Sequence, residues 1–221
     1  MPNLQNFDPT YFLYVLITFL IAITVHEFMH AWTAAALGDD TARHLGRISL
    51  NPAAHLDPLG ALMFLFIALG FPAIAWGKPV PVNDSRLRSS GRFGRHGSMA
   101  LVAFAGPLSN VVLGAAAAAI LRASAIMGWQ LGQLDVFLQV FMVINFSLAA
   151  FNMIPLPPLD GSRILAAILP PFWRPYLATL ERSGFIILIA LLFIGSQFGT
   201  SILRAIYGPV YALLLRVFAG G

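Results

Sequence analysis

The chain has 221 residues, of which 58% are hydrophobic and only 10% charged, where a soluble domain carries roughly 25% charged residues. With a mean hydropathy of +0.80, this describes an all-α polytopic membrane protein and excludes an ordinary soluble domain. The net charge of +4 does not argue for nucleic acid, because the Lys and Arg residues lie between apolar segments, where lipid headgroups attract them.

There are no cysteines, so a disulfide framework, Cys-ligated zinc and a nucleophilic thiol are all excluded. The length fits one domain over 1–221, with a core at 10–165, C-terminal helices at 184–218, and about five to six transmembrane segments. The N-terminus lacks the basic stretch and small-residue cleavage site of a secretory signal. The first helix also carries the metal motif described below, so it is expected to be retained.

In chain order, the first apolar segment runs from about Thr10 to Leu37, long enough to span, and Gly38-Asp39-Asp40 stops it. A polar stretch from Thr41 to Asp57 follows. Segment two, Leu59–Gly77, is apolar but broken by Gly70 and Pro72, and either spans or dips in and returns. Lys78-Pro79-Val80-Pro81-Val82-Asn83 alternates Pro and Val, which favours an extended strand at a sheet edge over a helix. A re-entrant or extended element is therefore expected near 70–84. Ser85–Gly97 is a basic loop. Ser98–Leu121 and about Leu134–Ile154 are spans three and four. A polar-flanked connection, Arg163–Arg182, leads to span five at about Gly184–Leu203. Arg204–Phe218, interrupted by Gly208-Pro209, reads as a short or interfacial sixth helix.

Residues 1–42 contain no Lys or Arg, whereas residues 78–95 contain five. The N-terminus is expected outside the cytoplasm and the 78–97 loop inside. Segment one then places His26 and His30 in its cytoplasmic half. Segment four returns to bring Asp160 to the same side, provided that segment two makes no net crossing.

The chemistry begins at His26-Glu27-Phe28-Met29-His30. Two His four residues apart project from one helix face and can reach one metal, and a Glu between them is placed to serve as base. A solvated surface face is the bland alternative, but in lipid these three side chains would otherwise be left unsatisfied. Catalytic zinc takes three protein ligands and keeps a position open for water. The candidates for the third are Asp160, Asp57, His55, His44 and Asp135. Asp160 is preferred: it follows a span directly, in a proline-rich stretch, and irregular backbone at membrane depth is tolerated only in protein or beside a water-filled cavity. His55 and Asp57 sit in turns, with a supporting or gating role as their other reading.

These motifs together resemble the site-2 protease family of intramembrane zinc metalloproteases. The matching stretches are His26–His30 and Asn152-Met153-Ile154-Pro155-Leu156-Pro157-Pro158-Leu159-Asp160-Gly161. Shorter matches are Arg47–Pro52, His55–Gly60, Lys78–Asn83 and Gly106-Pro107-Leu108-Ser109-Asn110. They cover about residues 20–165.

The resemblance implies one Zn²⁺ per chain held by His26, His30 and Asp160, with Glu27 as general base. It places Asn110 and Asn152 near the active site as candidate oxyanion donors, the competing reading of each being a helix–helix hydrogen bond. No PDZ or CBS sequence is inserted, as in the compact prokaryotic branch. The implied partners are a transmembrane protein substrate and the lipid bilayer, with no nucleic acid. The implied location is the prokaryotic inner membrane, with the active site toward the cytoplasm.

The Lys78–Asn83 stretch could pair with an unwound substrate by strand addition, or simply cover the site. A divalent-metal transporter and a non-catalytic helix-binding relative are the rival readings. Glu27 beside a single open site and the absence of visible internal repeats argue against the transporter, and the complete set of ligands and base argues against the non-catalytic relative.

Overall fold

The computed structural model describes residues 8–69, 73, 75–89, 94–197 and 202–220. Eight α-helices occur among them: α1 (Pro9–Ala36), α2 (Thr41–His44), α3 (Pro58–Ala68), α4 (Gly94–Met127), α5 (Gln133–Asn152), α6 (Asp160–Ile168), α7 (Arg174–Gln197) and α8 (Ile202–Leu214). Among the described residues, four segments are long and apolar enough to cross a membrane: Pro9–Ala36, Gly94–Met127, Gln133–Asn152 and Ile202–Ala219. The chain is an integral membrane protein.

The start of α1 is written locally. Asp8 caps it by accepting from the Thr10 N–H at 2.8 Å and the Tyr11 N–H at 3.3 Å, with Pro9 in the first turn. Its 28 residues extend about 42 Å, more than a bilayer core requires. Phe19, Ala22, Ile23, His26, Glu27, His30, Ala31 and Ala34 are buried at helical spacing, so one stripe faces the protein. Tyr11, Leu13, Ile17, Ile21 and Trp32 are exposed on the remaining surface, where lipid takes the place of a core.

α4 packs against α1, α5 and α6. It can approach them closely because its buried positions are small, among them Ala103, Ala105, Gly106, Ser109, Gly114, Ala117 and Ala118. Pro107 lies within this helix without ending it.

Segment two differs from a span. α3 has 11 residues and covers about 16 Å, roughly half the hydrocarbon thickness. Asp57 caps it through the Leu59 and Gly60 N–H groups at 3.0 and 2.9 Å. The chain then returns to its starting level. Gly77 pairs antiparallel with Leu56, the Lys78 N–H donates to His55 O at 2.8 Å, and a Cβ on Gly60 would strike the Trp76 carbonyl. Both ends of the segment therefore lie together. Gly70 and Pro72, where the break was expected, fall outside the described residues.

The expected strand at Lys78–Asn83 is extended but belongs to no β-ladder among the described residues; the Leu56–Gly77 bridge is isolated. Prolines at 79 and 81 remove two donors, and side chains take up others, as described below. The end of the chain also departs from expectation. Arg163–Arg182 is mostly helical, in α6 and the first part of α7. Arg204–Phe218 lies in a continuous helix, α8 plus a π turn at Leu215–Ala219, long enough to cross. Gly208-Pro209 does not interrupt it, since backbone in lipid must stay hydrogen-bonded internally and a proline is absorbed. Ile154, Leu159, Leu188 and Leu203 form the cluster that seats α7 and α8 on the α5–α6 link.

Candidate metal centre

His26 and His30 lie one turn apart on the buried stripe of α1. Asp160 opens α6, directly after the irregular Met153–Leu159 stretch that ends α5. Asp160 Oδ2 lies 3.1 Å from His26 Nε2 and 3.3 Å from His30 Nε2, and the two Nε2 atoms are 3.0 Å apart. Among the described residues this is the one group of three that could hold a metal ion. The other candidates lie elsewhere. Asp57 caps α3, and His44 is exposed on α2. Asp135 accepts from Gln139 at the far end of α5. His55 is fully buried, and its Nε2 bonds Ser49 O at 2.6 Å.

The hydrogen bonds behind the imidazoles decide what their front atoms can do. His30 Nδ1 lies 2.7 Å from Val102 O, a carbonyl that can only accept, so Nδ1 carries the proton. His26 Nδ1 lies 2.6 Å from Asn110 Oδ1. The orientation of that amide is set by its nitrogen, which donates to Ala22 O at 3.1 Å and Asn145 Oδ1 at 3.0 Å. Asn145 in turn donates to Phe141 O. Both Nε2 atoms are then lone-pair acceptors, and they converge with a carboxylate oxygen. With both imidazoles neutral, three acceptors lie within about hydrogen-bond distance of one another, an arrangement that a bound cation satisfies. Two imidazoles and one carboxylate are a zinc-type donor set.

Gly106 completes the cradle. A Cβ there would lie 2.5 Å from His30 Nε2 and 2.7 Å from His26 Nε2. Gly106 opens the Gly106–Asn110 motif, but nothing in the sequence marks it as part of the site. The only signal available was a small residue in an apolar helix.

Glu27 is nearly buried and borders the same cavity of about 380 Å³ as His26, His30, Asp160 and Asn152. Glu27 Oε2 accepts the Val80 N–H at 3.2 Å. The other wall is apolar, with Ile23, Leu148, Phe151, Leu159 and Leu188, and Trp76 meets Phe185 edge to face at 5.9 Å. Asn152 donates to Leu148 O at 3.0 Å, while both N–H directions of Asn110 are already used.

The 78–83 strap is held from behind. Arg47 donates to Lys78 O at 2.5 Å and Pro79 O at 3.1 Å. Asp39 accepts the Asn83 N–H at 2.6 Å. Burial pushes the Arg47 guanidinium down from its usual value, with the Glu27 carboxylate opposing the shift. Burial pushes the Asp39 carboxyl up, but hydrogen bonds from the Thr41 hydroxyl and from the Asn83 and Thr41 backbone, with the nearby Arg86 charge, leave it below the ordinary carboxylate value.

Comparison with known proteins bears on this arrangement. Residues 123–195 match the model of "Peptidase family M50". The chain is 37% identical over 185 residues to "Putative zinc metalloprotease YwhC" of Bacillus subtilis, a match that covers 80% of this chain and 79% of that one. It is 31% identical over 187 residues to "Putative zinc metalloprotease Rip2" of Mycolicibacterium smegmatis, covering 82% and 67%. No solved structure matches. With four membrane-length helices in hand, these findings define an integral membrane zinc metalloprotease. The chain belongs to peptidase family M50, the site-2 proteases.

Proposed function

We propose that this protein hydrolyses peptide bonds within or next to transmembrane helices of other membrane proteins. His26, His30 and Asp160 hold one zinc, and Glu27 is the general base. The observation that carries this reading is the convergence of three possible ligand atoms, His26 Nε2, His30 Nε2 and Asp160 Oδ2, beside a glutamate in one cavity. Zinc bound there supplies Lewis acidity, polarising a peptide carbonyl and acidifying water.

The chain's own residues do the rest. Glu27 takes the proton of the attacking water and delivers it to the leaving amide nitrogen, so that water is added across one C–N bond. Asn152 is the better oxyanion donor, because it faces the cavity and one N–H satisfies its bond to Leu148. Asn110 holds His26 instead. The apolar wall accepts an unwound, hydrophobic substrate segment, and the free side of the 78–83 strap offers Val82 for pairing. The paired ends of segment two support a membrane hairpin. With five basic residues in 78–95, such a hairpin supports a site facing the cytoplasm of a prokaryotic inner membrane.

The test is purified protein in liposomes with a single-span substrate. Wild type should cleave it. Glu27→Gln should keep its zinc while losing about 10²-fold or more in rate. Equal cleavage by the variant would remove Glu27 from the chemistry, and a zinc-loaded wild type that cleaves no helical substrate would refute the function.

A further inference from the structure

Arg47 is buried, 6% exposed, yet it has no carboxylate partner among the ion pairs of the described residues. Its guanidinium is spent on two consecutive backbone carbonyls, Lys78 O through Nη2 and Pro79 O through Nη1. The Pro79 carbonyl and the Val80 N–H are opposite ends of one peptide unit, and that N–H donates to Glu27 Oε2. An unbroken line therefore runs from the Arg47 N–H to the Pro79 carbonyl, through the amide, and from the Val80 N–H to the Glu27 carboxylate.

We propose that Arg47 is a positioning residue for Glu27, acting through the Pro79–Val80 peptide. The proposal rests on the hydrolase reading above, in which Glu27 is the base.

Three features carry it. A cation on the carbonyl oxygen of an amide polarises the whole unit and strengthens its N–H as a donor, and the gain is largest where water is excluded. The line has no competing partner at its centre: among the described residues no other hydrogen bond reaches the Pro79 carbonyl or leaves the Val80 N–H. The strap is also fixed in register over Glu27. A Cβ on Gly77 would lie 3.2 Å from Glu27 Oε1, and the Lys78 N–H is pinned to His55 O. One oxygen of Glu27 is thereby tethered. The forked guanidinium suits this task, because it bonds two adjacent carbonyls at once, which an ammonium on a flexible stem does not reproduce.

The experiment compares Arg47→Ala and Arg47→Lys in wild-type and Glu27→Gln backgrounds, using zinc-loaded protein in detergent and a single-span helical substrate. Arg47→Ala should lower kcat about 10- to 100-fold, the usual loss when a supporting partner is removed, with KM little changed and zinc retained. Arg47→Lys should recover part of it. In the Glu27→Gln background the further loss should disappear. A rise in KM alone, or an undiminished loss without Glu27, would overturn the proposal and leave Arg47 as a structural clamp.

Hydrogen exchange at the Val80 amide needs no turnover. It should accelerate at least about tenfold in Arg47→Ala, as expected when a bond to a charged acceptor is lost. Unchanged exchange would also overturn the proposal. If wild type proves inactive while Val80 exchange responds to Arg47, the hydrolase reading fails and the peptide line stands.

Discussion

Gly106→Ala tests the metal centre at its least forgiving point. The new Cβ would sit 2.5 Å from two atoms of the His30 ring and 2.7 Å from His26 Nε2, where ordinary contact begins at 3.4 Å. Relief therefore needs ring displacements of up to about 0.9 Å, while metal–ligand distances tolerate only about 0.2 Å. The rings cannot retreat freely, because Val102 O and Asn110 Oδ1 hold their Nδ1 atoms. Stability is a separate matter. Alanine gains about 1 kcal/mol of helix propensity over glycine, and overpacking costs about 1–3 kcal/mol, so the fold should survive with a modest loss. The assay is zinc per chain by elemental analysis after dialysis against a chelator, alongside melting temperature. Gly114→Ala is the control: its Cβ would meet the Phe146 ring at 2.5 Å, a comparable overlap remote from the imidazoles. It should lose stability and keep zinc. A Gly106→Ala protein with wild-type zinc content and affinity would refute the placement of both imidazoles against α4.

Asn110→Ala should weaken zinc binding about 10- to 100-fold by freeing His26 and leaving Asn145 Oδ1 without its donor, as competition with a chromogenic chelator would read; undiminished affinity would reassign Asn110 to other duties. Asp39 has a folded-state value below its ordinary 3.8, so its contribution to stability is complete above that pH and is lost as pH falls through the lower folded value. Melting temperature should consequently drop more steeply below about pH 4 in wild type than in Asp39→Asn, and parallel curves would contradict this. The chain has no cysteine, so Ser85→Cys provides a clean label in the exposed turn after the strap. A membrane-impermeant thiol reagent should reach it only in inverted vesicles, and labelling in intact cells would reverse the proposed orientation.

How far the sequence carries depends on how local each signal is. His26, Glu27 and His30 were legible because one helical turn fixes their relation without any knowledge of tertiary structure. Asp160 was legible for a different reason: an acid placed after a span, behind three prolines, has few tolerable environments in lipid. Gly106 was not legible as a cradle, because its role depends on which turn of α4 meets α1, a contact between residues 76 positions apart. Asn110 had two readings that sequence could not separate. The geometry favours the helix–helix one, since Ala22 O and Asn145 Oδ1 take both of its N–H directions. The sixth helix runs through Gly208-Pro209 without a break, which soluble-protein rules for proline do not anticipate. The strap's extended conformation followed from its Pro-Val alternation. Its partners did not, because they are side chains and turn carbonyls scattered over residues 27–55.

The same network explains why polar groups so costly in lipid can be kept. Each imidazole uses its Nδ1 on a fixed acceptor and turns its Nε2 inward, while Glu27 uses Oε2 on Val80. Satisfying the rear atoms removes much of the burial penalty, and it also chooses which atoms face the cavity. With both imidazoles neutral, that choice creates a new cost, because it aims three acceptors at one point. Helix packing alone cannot relieve that repulsion, since α1, α4 and α6 must all be in place for the acceptors to meet. A bound cation relieves it, so its binding energy reinforces the very packing that builds the site. With zinc as the cation held there, as proposed, folding of this core and zinc binding would be linked. The polar stripe of α1 is tolerable in the membrane because its neighbours and its metal are assembled with it.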